Sequence, residues 1–232
     1  MDRLDKALER DGYVHLNSGL KEATVELIEG SLRKAGGNIR TSRGTDYAVR
    51  NLEGIWPSIC SHVCPVIIDT LHAAVGLDCG LVRALLFDKP PGRSWVLGWH
   101  KDLSIAIRRH LSSSRFSKPT FKAGIPHVEA PLEVLEGQIA VRIHLDPVTQ
   151  ENGPLEVVPG SHREGKSVGR TLPSETILAK RGDVLFMRPL LVHRSGRSHI
   201  DAISHRRVLH LEFHGTRTLP EGWEWQTFIP VS

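Results

Sequence analysis

Arg142-Ile143-His144-Leu145-Asp146, then Glu151-Asn152-Gly153-Pro154-Leu155, then Val158-Pro159-Gly160-Ser161-His162, is the part of the chain whose reading decides the fold. Residues 138–145 alternate. Val141, Ile143 and Leu145 share one face, and Arg142 and His144 the other, the period of a strand with one buried and one functional side. Asn152-Gly153 and Pro159-Gly160-Ser161 are turn signals, so the segment reads strand, turn, short strand, turn. Further short strands are expected at 81–87, 95–99, 155–158, 176–179, 184–187 and 206–213. Asp88-Lys89-Pro90-Pro91-Gly92 reads as the turn closing the first, with Lys89 serving that turn. Many short strands following helices predict a mainly β jelly roll or antiparallel barrel with helices packed outside.

Upstream, the pattern predicts a helix over 2–10, a strand at 13–16 and a helix over 19–35 stopped by Gly36-Gly37. Residues 55–75 read as one or two apolar helices, with Pro65 at a break. The chain is expected to be one domain, 1–232, made of a mainly helical part (1–80), a β core (81–214) and a C-terminal tail (215–232). Residues 103–137 interrupt the strand pattern with Arg108, Arg109, His110, Arg115, Lys118 and Lys122. They read as an irregular insertion, either a lid over a site or a solvated loop.

A net charge of +4 and a pI near 9.1 describe a mildly basic chain. Arginine is dispersed and no nucleic-acid-binding motif is present, so the charge suits an anionic small molecule and not DNA or RNA. No apolar run is long enough for a membrane span. Cys60, Cys64 and Cys79 are an odd set without metal-type spacing, which suits a reducing cytoplasm. Oligomeric state is not legible.

The chemistry centres on Gly98-Trp99-His100-Lys101-Asp102. His100 and Asp102 at i and i+2 would point to one face of a strand, while Trp99 faces the other side and packs. A third ligand is needed, and His193 in Leu191-Val192-His193-Arg194-Ser195 is the best candidate. Two histidines and one carboxylate on one side of a metal form the facial triad of non-haem iron(II) oxygenases. Arg206, His210 and Glu212 alternate with Arg207, Leu209, Leu211 and Phe213, so the first set is expected to face the barrel interior. Arg142 and His144 are interior candidates too, with a substrate anion or a structural acid as partner. His127 and His162 are assigned to surface or hydrogen-bonding roles in loops.

Taken together and in order, Phe87-Asp88-Lys89-Pro90-Pro91-Gly92, Trp99-His100-Lys101-Asp102, the two turn motifs quoted first, Arg181-Gly182-Asp183, His193-Arg194-Ser195-Gly196 and Arg206-Arg207-Val208-Leu209 resemble the phytanoyl-CoA dioxygenase family of iron(II)- and 2-oxoglutarate-dependent oxygenases. The resemblance covers most of the chain and is clearest over 81–214. It implies a cupin-like double-stranded β-helix, with His100, Asp102 and His193 as iron(II) ligands and catalytic residues. It implies 2-oxoglutarate and O₂ as cosubstrates, Arg206 as anchor of the far carboxylate with Arg207 as the alternative, and Ser195 as a further cofactor-binding residue, to which Arg142 is added from its place on the interior face of its strand. Asn152-Gly153 would lie near the site, and Tyr47, Arg50 and Asn51 would fold over its mouth. Because Asp102 is retained, hydroxylation of a C–H bond of a small molecule is expected over halogenation. The competing expectations are a non-redox ligand- or metal-binding jelly roll, a zinc-dependent isomerase or hydrolase, and an oxygenase acting on a nucleobase or protein side chain, for which the basic insertion is the one feature in favour.

Overall fold

The computed structural model describes residues 2–35, 48–90, 95–169, 173–199 and 201–231. Helix α1 (Asp2–Asp11), strand β1 (Tyr13–Leu16), helix α2 (Glu22–Ala35), strand β2 (Ala48–Arg50), and helices α3 (Leu52–Ile55) and α4 (Ile59–Val75) precede the strands of the core. These are β3 (Gly80–Lys89), β4 (Leu97–His100), β5 (Ser104–Ala106), β6 (Ser117–Lys122), β7 (Ile125–Glu129), helix α5 (Leu132–Glu136), β8 (Gln138–His144), β9 (Leu155–Val157), β10 (Glu175–Ile177), β11 (Val184–Met187), β12 (His193–Ser195), β13 (Arg206–His214) and β14 (Ile229–Pro230).

The strands form two opposed antiparallel sheets, as the jelly-roll expectation requires. The larger runs β1-β11-β8-β13-β3-β14, with β2 also on β3, and the smaller runs β10-β9-β12-β4. Strand β8 is buried at every residue because both its faces are covered. Ile139, Val141 and Ile143 meet Leu209, Leu211 and Phe213 of β13 and the apolar faces of α2 (Val25, Ile28) and α4 (Ile59, Val63, Ile67, Leu71). On the other side Ala140, Leu185 and Met187 pack against Leu155, Val157 and Ile177 of the smaller sheet. The functional face of the larger sheet is therefore the inside of the sandwich.

Three features differ from the expectation. Pro65 lies inside a single continuous α4. It removes one backbone hydrogen bond, a cost of about 3 kcal/mol, and the row Ile59, Val63, Ile67, Leu71 buried against the sheet offsets it. Strand β3 does not stop at Phe87 but runs on through Asp88 and Lys89, because β13 supplies Arg207 and Arg206 as their register partners. Residues 103–137 are not irregular: β5, β7 and β6 make a third sheet. Ile105, Ile107, Phe116 and Val128 close around Trp223 and Trp225, so residues after 214 pack onto this sheet and, through β14, onto β3. Phe116 stacks on Trp223 at 4.5 Å. None of the described helices is long and apolar enough to cross a membrane.

Trp223→Ala should cost about 3–5 kcal/mol in urea unfolding. Amide exchange should quicken in β5–β7 and stay slow in β8 and β13; uniform quickening would show that the third sheet is not a separately anchored unit.

Candidate active site

Strands β4 and β12 pair with His100 directly opposite His193, and the two rings lie 4.1 Å apart. Strand β4 ends at His100. Asp102 sits just past it, held by its own N–H donating to the Pro189 carbonyl at 2.8 Å. Its carboxylate oxygens lie 3.7 Å from His100 Nε2 and 3.5 Å from His193 Nε2. One donor atom from each of the three residues falls within 4.8 Å of the others, a spacing that can hold a metal ion.

Each imidazole is oriented from behind. His100 Nδ1 bonds the Gly98 carbonyl and His193 Nδ1 bonds the Leu191 carbonyl, both at 2.8 Å. A carbonyl can only accept, so the proton sits on Nδ1 and the Nε2 lone pair faces Asp102. Burial pushes His193 down to about 4. Burial alone would raise Asp102, but the two histidines outweigh it and hold the carboxyl at about 2. Both groups are therefore in the deprotonated form that metal binding needs at neutral pH.

The larger sheet supplies the floor in rows fixed by register. Arg83 faces Glu212, Leu85 faces His210 and then Arg142, and Lys89 faces Arg206. Together with the triad, these rows bound a cavity of about 300 Å³. Arg206, His210 and Glu212 line it, as alternation predicts, and Arg207 does not: it holds Asp146 at 2.7 Å and Glu29 at 2.6 Å on the outer side. Arg142 and Ser195 also line the cavity. Burial lowers Arg142 to about 10 and, with Arg142 as neighbour, Arg206 to about 9, so both stay charged. The Nε of each is buried without a hydrogen-bond partner among the described residues.

Lys89 is the residue most at odds with the sequence reading. It is 1% exposed, and Nζ donates to Ser195 Oγ at 2.8 Å and to the Gly196 carbonyl. Arg206 reaches the same Ser195 hydroxyl at 3.5 Å. The Pro-Pro-Gly signal suggested a turn residue, whereas pairing with β13 turns the side chain inward. Ser195 Oγ also donates to the Gly153 carbonyl at 3.3 Å, which brings the Asn152-Gly153 loop to the edge of the site. Gly153 has φ +70°, and a Cβ there would lie 2.5 Å from the Gly196 carbonyl.

Other residues fall as follows. Arg50 lines the cavity, Asn51 precedes α3 in the left-handed region, and Tyr47 lies outside the described residues. Trp99 turns away from the cavity under the Arg194 guanidinium, 4.6 Å from its ring centre. His144 is buried beside Arg142, with neither ring nitrogen bonded among the described residues. His127 is not in a loop but buried on β7, its Nδ1 on the Ile125 carbonyl at 2.9 Å, while His162 bonds the Glu9 carbonyl at 3.2 Å. Lys101, between the two β4-side ligands, donates to the Ser161 and Gly165 carbonyls at 2.8 and 2.7 Å and ties this edge to the Pro-Gly-Ser turn. No sequence pattern marked Lys101, Arg83 or Lys122 as cavity residues.

The family model for phytanoyl-CoA dioxygenase matches residues 8–207. Among solved structures, the non-heme alpha-ketoglutarate-dependent epimerase SnoN from nogalamycin biosynthesis superposes with TM-score 0.67 at 19% identity, covering 92% of this chain and 80% of that one. EctD from S. alaskensis with bound Fe gives 0.69 at 17% identity, with 92% and 76% covered. HygX from Streptomyces hygroscopicus, with nickel, 2-oxoglutarate and hygromycin B bound, gives 0.65 at 15% identity, with 93% and 88% covered. These likenesses establish a shared fold.

Burial, then Arg206 and Arg142, push the Lys89 ammonium down to about 7, against about 10.4 in an unfolded chain. Between those values the unfolded chain holds a proton that the fold does not, so unfolding free energy rises with pH. In the ligand-free protein, urea unfolding should show wild type gaining stability relative to Lys89→Met as pH goes from about 7 to about 10. A pH-independent difference would mean that Lys89 stays protonated in the fold.

Proposed function

The chain belongs to the phytanoyl-CoA dioxygenase family, and from that membership we propose that it is an iron(II)- and 2-oxoglutarate-dependent dioxygenase hydroxylating a C–H bond of a small molecule. The observation that carries the reading is the convergence of His100, Asp102 and His193 within 4.8 Å. Two imidazoles locked in one tautomer and one carboxylate are the donor set suited to iron(II) with positions left open. Iron(II) with 2-oxoglutarate and O₂ supplies the oxidising power for the C–H bond and releases succinate and CO₂.

The chain's own residues bind and orient. Arg206 grips the far carboxylate of 2-oxoglutarate, its planar fork matching a carboxylate and its orphaned Nε supplying an uncommitted donor. Lys89 holds the Ser195 hydroxyl that Arg206 also reaches and so helps fix the anchor. Arg142 presents a second orphaned Nε from the neighbouring strand. Asp102 keeps a carboxylate in the ligand set, which favours hydroxylation over halide transfer. The packed sandwich behind the triad excludes water from one side of the site.

Anaerobic addition of iron(II) and 2-oxoglutarate should give the weak visible charge-transfer band of a chelate. Asp102→Ala should abolish that band and 2-oxoglutarate turnover while leaving the circular dichroism spectrum unchanged. Turnover that persists with zinc and without O₂ would replace this reading with a hydrolase or isomerase. Arg206→Ala should raise the KM for 2-oxoglutarate at least tenfold with a smaller effect on kcat; an unchanged KM would move the anchor elsewhere.

A further inference from the structure

The cavity has a second cationic end. Strand β3 carries Arg83, Leu85, Phe87 and Lys89 on alternate positions. Six residues at about 3.3 Å each put Arg83 about 20 Å from Lys89 along the strand. A five-carbon diacid held at the Arg206–Lys89 end is far shorter than that span.

At the Arg83 end three basic side chains from three elements line the cavity: Arg50 of β2, Arg83 of β3 and Lys122 of β6. Two of them meet at Ser104. Lys122 Nζ donates to its hydroxyl at 3.0 Å and Arg83 to its carbonyl at 3.4 Å. Burial, then Arg83 and Arg50, push the Lys122 ammonium down to about 8, the mark of cations crowding one another in a partly dry place. Among the described lining residues the carboxylates are Asp102, which belongs to the triad, and Glu212. Glu212 is already engaged by Arg83 at 3.1 Å, Gln138 at 3.1 Å and His210 at 3.3 Å. The apolar part of the lining includes Leu85, Phe87, Leu97 and Leu103.

We propose that Arg50, Arg83 and Lys122 form the subsite for an anionic group of the substrate, a carboxylate or a phosphate, whose apolar part lies along Leu85, Phe87 and Leu103 towards His100, Asp102 and His193. This deepens the dioxygenase reading and rests on it. The physical case is charge balance. Arg83 and Lys122 meet at Ser104 with Arg50 near enough to act on the Lys122 ammonium, and like charges gathered in a partly buried place repel one another and are costly to hold away from water. A bound anion removes both penalties, while a neutral substrate leaves them in place. Lys122 comes from the third sheet, so that sheet acts in substrate choice.

The test uses benzoate, phenyl phosphate and the neutral isostere benzamide as probes. Calorimetric titrations are run anaerobically on the full chain loaded with iron(II), with and without saturating 2-oxoglutarate. At least one acid should bind tenfold or more tighter than benzamide with 2-oxoglutarate present, and the tighter acid identifies the group. In Lys122→Gln that acid should fall to the benzamide level, and in Lys122→Arg it should recover. Acids no better than the amide, binding abolished by 2-oxoglutarate, or an unchanged affinity in Lys122→Gln would overturn the subsite. The chelate band reports separately on the oxygenase reading. Tight acid binding without the band sinks that reading and supports the subsite, and the band without acid preference sinks the subsite alone.

Discussion

The register of two short strands governs the site. His193 of β12 stands opposite His100 of β4, and a slip of one residue would send one imidazole to the other face of the sheet. Nothing within these strands is long enough to hold that register. It is held by their neighbours: β9 pairs Val157 with His193 on the far side of β12, and the Lys101 ammonium pins the β4 edge to the Ser161 and Gly165 carbonyls. Ser161 in turn accepts the Val192 N–H through its hydroxyl at 2.8 Å, one residue before the ligand. The Pro-Gly-Ser turn is thus a brace between the two ligand strands.

The second constraint is the density of charge inside the sandwich. Arg83, Arg142, Arg206 and Lys89 rise from the inner face of the larger sheet, where most folds place aliphatic side chains. Such an interior is affordable only because the outer face carries the stabilising burial. Val141, Ile143, Leu209, Leu211 and Phe213 pack with the helices into the main core. Strands β8 and β13 therefore divide labour by parity, odd positions for cohesion and even positions for recognition.

Parity is also why so much was legible in the sequence. Alternation alone assigned Arg206, His210 and Glu212 to the interior and Arg207 to the outer face, and His100, Asp102 and His193 converge as their motifs suggested. What was not legible depends on partners distant in the chain. Lys89 looked like a turn residue because Pro90-Pro91-Gly92 follows it, and only β13 extends the strand that far. Pro65 looked like a helix break because the packing of α4 on the sheet is invisible locally. Lys122 lay in a basic, pattern-poor segment, and its position depends on β6 pairing with β7 and on Ser104, a contact that no local spacing encodes.

The third sheet has its own apolar nucleus, Ile105, Ile107, Phe116 and Val128 around Trp223 and Trp225, separate from the core behind the larger sheet. That nucleus meets the larger sheet through Val82 of β3. The third sheet's exposed strand β6 can drift in side-chain identity without disturbing the cage of imidazoles and carboxylate. On this plan one hairpin can be rewritten while the register that gathers His100, Asp102 and His193 is inherited intact.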